Sequence, residues 1–114
     1  MESESGLRLE DLVCGSGEEA IRGASLTIEY TADAADGERF ASSDDQGGEF
    51  VFPLGRGQVI SGLDEGVRSM RVGGTRRLTI PAELAYGGAG FPPHVRPGET
   101  VVYEVTLLEV AVDD

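Results

Sequence analysis

The polar side chains that ordinarily carry enzyme chemistry are present here but badly arranged for it. Cys14 stands between Val13 and Gly15 with no ligand spacing and no activating base, and reads as a buried, inert thiol. His94, in FPPHVRPG, has no second His or Cys at metal-ligand spacing, so solvent exposure is expected and no metal site. The adjacent acids Asp44 and Asp45, Asp64 and Glu65, and Asp113 and Asp114 read as solvated charge, not calcium ligands or an acid-base pair. Gly55, Gly57 and Gly62 are spaced loosely like a phosphate loop, but no Lys follows and Pro53 interrupts the strand before them. What remains is apolar and aromatic: positions from Tyr30 to Tyr103, bracketed by GQVISGLDEGVRSM and LTIPAELAYG. They describe an aromatic-walled hollow, with a filled core as the competing reading. A hollow without a nucleophile can still catalyse rotation of an X-Pro peptide bond, because complementarity to the twisted amide is enough.

Alternation predicts the elements that would hold such a hollow. SLTIEYTAD puts Leu26, Ile28, Tyr30 and Ala32 on one face of a half-buried strand. The same period recurs in EFVFPL, with Phe50, Phe52 and Leu54 inward, in TRRLTI, with Leu78 and Ile80, and in TVVYEVTL, with Val101, Tyr103, Val105 and Leu107. On this reading Arg76 and Arg77 decorate a strand. Asp36-Gly37 and Gly73-Gly74 are tight-turn signals and favour antiparallel neighbours, while Pro53 places its strand at an edge or ends it. Ile60, Leu63, Val67 and Met70 form the stripe of one short amphipathic helix, with Ser61 and Asp64 as a capping box. Gly62 and Gly66 let another backbone or a ligand come close. Pro81 starts a single turn over Ala82, Glu83 and Leu84, and FPPHVRPG is a loop.

Composition bounds the rest. The 114 residues fit one domain spanning 1–114, with residues 1–6 flexible and no linker or internal repeat to mark a second. Nine Arg, no Lys and 21 acidic residues give a net charge of -12, which excludes nucleic acid or an anionic membrane as the main partner. Salt adaptation and a genome favouring Arg, Ala and Gly both account for that composition. No apolar run reaches the ~18 residues of a membrane helix, and MESESGLRLE has neither a basic start nor an apolar signal core, so a cytoplasmic monomer is expected.

From about Gly23 to Val110 the chain resembles the FKBP-type peptidyl-prolyl isomerases, bacterial single-domain members among them. YTADAADGERFASS, EFVFPLGRGQVISGLDEGVRSMRVGGTRRLTIPAELAYG and TVVYEVTLLEV carry the resemblance. It implies an α+β fold, a twisted antiparallel β-sheet wrapped around one short α-helix, with the substrate proline held between them. Carried over by position, it makes Tyr30, Phe40, Phe50 and Tyr103 the walls and Val59, Ile60 and Leu63 the floor, with Tyr86 and Val95 toward the loop side. Phe91 is a neighbouring substrate contact, and Phe52 stays structural. The Tyr86 hydroxyl and the Ile60 main-chain N–H would each bind a carbonyl of the peptide. Two positions depart from the family pattern: Ala41 replaces an Asp typical of tight macrolide binders, and Leu63 replaces a Trp floor. Reduced affinity for tacrolimus or rapamycin and a deeper, looser pocket follow.

The expected activity is therefore rotation of X-Pro bonds in flexible or unfolded protein chains, assisting slow folding steps, with no cofactor. Twisting the peptide bond meets a barrier of roughly 18 to 20 kcal/mol, and a millionfold acceleration requires about 8 kcal/mol of preferential binding at the twist. A proline-segment binding module without useful turnover is the rival reading of the same hollow.

Overall fold

The computed structural model describes residues 6–35, 37–57, 59–85, 90, 95 and 98–111. The expected Tyr86, Phe91 and His94 lie outside the described residues. Among the described residues, six strands make one antiparallel sheet: β1 (Arg8–Val13), β2 (Ser25–Ala34), β3 (Arg39–Ser42), β4 (Phe50–Pro53), β5 (Thr75–Ile80) and β6 (Val101–Ala111), with one α-helix, α1 (Ser61–Gly66). The order is β1-β5-β6-β2-β3, and β4 also pairs with β2. The long strands β2 and β6 form the spine, paired from Ser25 opposite Ala111 to Ala34 opposite Val101, with a one-residue shift of register between Thr27 and Ile28.

The alternation read from the sequence is the burial pattern observed. Leu26, Ile28 and Ala32 on β2, Leu78 and Ile80 on β5, and Val101, Val105 and Leu107 on β6 turn inward and are closed to solvent. Burying each large aliphatic side chain contributes about 1.5–3 kcal/mol, which is why these strands keep one face turned inward. Gly37, at φ 90°, turns β2 into β3, a conformation that suits glycine. β4 ends at Pro53, which faces Ser25, as the missing donor requires.

The helix lies on the inner face of β5. A Cβ at Gly62 would collide with the Ile80 side chain, and one at Gly66 would sit 2.7 Å from Leu78 Cδ1, so both glycines serve close approach to the sheet. The helix ends at Gly66, and Ser69, at φ 70°, turns the chain away. Met70 continues the apolar stripe only in the turn beyond, where it is buried.

Three expectations are corrected, and one strand has no counterpart in the sequence pattern. Ser61 and Asp64 form no capping box: α1 has no side-chain cap, and Asp64 Oδ1 instead accepts the Gly55 N–H at 2.7 Å. Arg76 does not decorate the strand, because it is only 7% exposed and fully engaged beneath the helix. Cys14 is exposed, not buried. β1 was not legible at all, since its burial runs almost wholly exposed and its place is set by pairing with the distant β5.

Candidate functional site

α1 covers mainly β5, which leaves inward-facing side chains of β2, β4 and β6 without helix above them. Where β2 leaves β3 and meets β4, Thr31 pairs with Ser42 and Ile28 with Phe50, so Tyr30 falls in the gap between them. Its N–H is taken up by the buried Ser43 hydroxyl at 3.1 Å, which satisfies β2 on the edge between its pairings with β3 and β4. A hollow of about 410 Å³ opens here, lined by Tyr30, Phe50, Gly57, Val59, Ile60, Leu63 and Tyr103. That volume falls among those of small-molecule sites, roughly 300–1,000 Å³.

Its walls are three aromatic rings. Tyr30 and Tyr103 stack with centroids 5.6 Å apart and planes at 19°. Phe50 meets Tyr30 edge-on, at 5.7 Å and 72°. Both are favoured arrangements for ring quadrupoles, so the walls brace one another and do not fall inward. Phe40 packs edge-on behind Tyr103 at 6.5 Å, and Phe52, 2% exposed, stacks on Phe50 from the core side. Phe52 is structural, as read.

The floor is the start of α1. Ile60 is the residue before its first turn, and the Ile60 carbonyl accepts the N–H groups of Leu63 and Asp64, both at 3.1 Å. Among the described residues nothing takes up the Ile60 N–H. Leu63 is buried beneath the rings, and the bond from Gly55 to Asp64 ties the loop carrying Gly57 and Val59 to the helix. Gly57, Ser43 and Asp64 were not among the residues singled out for the site. The φ of 69° at Gly57 is the kind of signal its sequence carries, whereas the roles of Ser43 and Asp64 exist only through contacts distant in sequence.

Of the expected residues, the structure thus brings Tyr30, Phe50, Val59, Ile60, Leu63 and Tyr103 to one hollow and sets Phe40 directly behind it. Val95 is placed differently: it is 1% exposed and packed into the main core. Ala41 sits opposite Ala32, so the strand register there is small against small. The described lining holds no carboxylate, imidazole, thiol or cation. Nearby, Arg39 donates Nε–H to Asp33 at 3.0 Å, and that hydrogen bond holds its pKa above the ordinary value, so it remains a surface cation. No group of three or more potential metal ligands occurs among the described residues. What the arrangement offers is shape, an aromatic surface and main-chain hydrogen bonding.

Comparison with known proteins agrees with this geometry. The family model described as FKBP-type peptidyl-prolyl cis-trans isomerase matches residues 16–108. An FK506-binding protein of Neisseria meningitidis is 45% identical over 105 residues, covering 92% of this chain and 96% of that protein. FK506-binding protein 4 of Dictyostelium discoideum is 46% identical over 107 residues, covering 94% of this chain but 29% of its own length. Among solved structures, FkpA from Escherichia coli superimposes with a TM-score of 0.88 at 35% identity, covering 98% of this chain and 51% of FkpA. The chain therefore spans under a third of the Dictyostelium protein and about half of FkpA. A match of that extent, on a six-stranded antiparallel sheet with one short helix, assigns this chain to the FKBP-type peptidyl-prolyl cis-trans isomerase family.

Proposed function

We propose that this chain is a working prolyl isomerase, a single domain that accelerates rotation of X-Pro bonds in flexible protein segments. The observation that carries this is the hollow itself, open under the Tyr30, Phe50 and Tyr103 rings with a main-chain N–H at its edge. The proline ring enters against the stacked tyrosines and rests on Leu63. Leaving water disfavours the charge-separated planar amide relative to the less polar twisted one. The Ile60 N–H, and the Tyr86 hydroxyl from the loop side, hold carbonyls flanking the proline, so that binding is strongest at the twist. Tyr103 and Phe40 keep the Tyr30 wall upright while Phe50 and Val59 close the sides. Phe91 belongs to the same proposed contact set, and the packing of Val95 in the core gives it a supporting part.

Macrolides such as tacrolimus belong to the same proposal as weaker ligands, because Ala41 supplies no side-chain hydrogen bond. No described helix is long and apolar enough to cross a membrane. A monomer in the cytoplasm is the setting we propose, in keeping with a single cysteine and no disulfide.

A protease-coupled assay on Ala-Leu-Pro-Phe type peptides tests the activity, with Tyr86→Phe and Phe50→Ala as controls. Acceleration that both variants weaken supports an isomerase. No acceleration at micromolar protein, together with retained binding of the peptide, would make the chain a proline-segment binding module.

A further inference from the structure

Three inward side chains of β5 run beneath α1 in order, and the last of them is Arg76. Gly62 sits on Ile80 and Gly66 on Leu78, while Arg76 Nη1 donates to the carbonyl oxygens of Gly66 and Arg68, both at 2.9 Å. The match is metric. Four helical residues rise about 6 Å and two strand residues about 6.6 Å, so a helix antiparallel to β5 stays in step with it over one turn and a half. Arg76 meets the helix where its last carbonyls lack intrahelical partners and its dipole is negative. The other side of the guanidinium is held by Asp11 on β1, with Nε to Oδ1 at 2.6 Å and Nη2 to Oδ2 at 3.5 Å.

We infer that Arg76 is a positioning residue: by clamping the C-terminal end of α1 to β1 and β5, it sets where Ile60 and Leu63 stand beneath the aromatic walls. A helix of six residues holds itself weakly, since isolated helices that short are unstable in water, and two glycines give it little side chain to grip with. Its first turn is the floor of the hollow, and the Val67 N–H bonds to the Leu63 carbonyl at 3.1 Å, so a shift at the Gly66 end reaches Leu63 through one helical turn. Arg77, the next residue, faces solvent and pairs with Glu10 and Glu104 on the other face of the sheet, which makes it the internal control. The inference rests on the isomerase reading for its kinetic consequence, but not for the placement of α1.

The test compares Arg76→Met, Arg76→Lys and Arg77→Met by amide hydrogen exchange and by peptide isomerisation. Exchange is read at Leu63, Asp64 and Val67 against Val105 and Leu107 of β6. In Arg76→Met, the α1 amides should exchange about tenfold faster beyond any change in β6, and kcat/KM should fall about tenfold, mainly through KM. Arg76→Lys should recover part of both, and Arg77→Met should alter neither. If α1 exchange merely tracks β6, Arg76 is a general stabiliser and the inference is overturned. Should Arg76→Met not fold, Asp11→Asn, which loosens one side of the clamp, supports the inference by the same α1-specific rise or overturns it by its absence. A wild-type chain without isomerase activity removes the proposed function, while hydrogen exchange still decides the role of Arg76.

Discussion

Tyr30 and Tyr103 stack across β2 and β6 although the register does not pair them: Tyr103 stands opposite Ala32, and Tyr30 opposite Val105. They are diagonal neighbours, a separation that aromatic side chains span and short ones do not. Ala32, the residue opposite Tyr103, carries a single methyl group and is closed to solvent, so no larger side chain at that position competes with the stacked rings for space.

Replacing Ala32 by Leu fills that space. The variant is expected to lose about 1–3 kcal/mol of stability through overpacking. Its tyrosine near-ultraviolet dichroism should change, because the stack must open. Urea unfolding and circular dichroism check both, and an unchanged tyrosine spectrum would show that Ala32 does not set the stack.

In an exposed helix, Gly→Ala adds roughly 0.5–1 kcal/mol of stability. At Gly62 the sign should reverse, because the new methyl group meets the Ile80 side chain. We expect Gly62→Ala to destabilise by about 1–3 kcal/mol, and Gly62→Ala plus Ile80→Ala to cost less than the sum of the two single changes, because Ile80 Cγ2, the atom the new methyl group meets, is then gone. Chemical denaturation of the single and double variants decides it.

Phe50 and Phe52 stack on one another, yet removing each should damage different properties. Phe52→Ala empties buried core and should cost about 3–5 kcal/mol. Phe50→Ala, at a half-buried wall, should cost less stability while lowering kcat/KM more than about tenfold. Equal loss of activity from the two variants, once both are folded, would contradict this division.

Cys14 lies on the surface beside a cleft with Asp11, Arg71 and Arg76. Native protein should therefore react with a thiol reagent such as dithionitrobenzoate to one equivalent per chain, without denaturant. A thiol that reacts only after unfolding would refute the exposure.

The strand pattern was legible because period two and burial on one face are the same fact at two levels: Leu26, Ile28 and Ala32 had to turn inward together. The helix stripe from Ile60 to Met70 was equally legible, although the helix proper stops at Gly66. β1 was not, since Arg8–Val13 carries few buried side chains and owes its order to hydrogen bonds with β5. Asp64 was misread because a carboxylate three residues after a Ser fits a local cap, while the Gly55 N–H nine residues earlier is the partner it finds.

By itself, the order of residues determined β2, β4, β5 and β6, which of their faces are apolar, where the short helix starts, and, through its resemblance, the family. Tertiary structure alone decided that the rings of Tyr30, Phe50 and Tyr103 brace one another around an open hollow, and that an arginine flanked by another arginine lies buried under a helix. The physical reason is range. Periodicity and turn chemistry act between neighbours along the chain, whereas ring stacking, helix seating and the pairing of Arg76 with Asp11 depend on segments dozens of residues apart meeting in space.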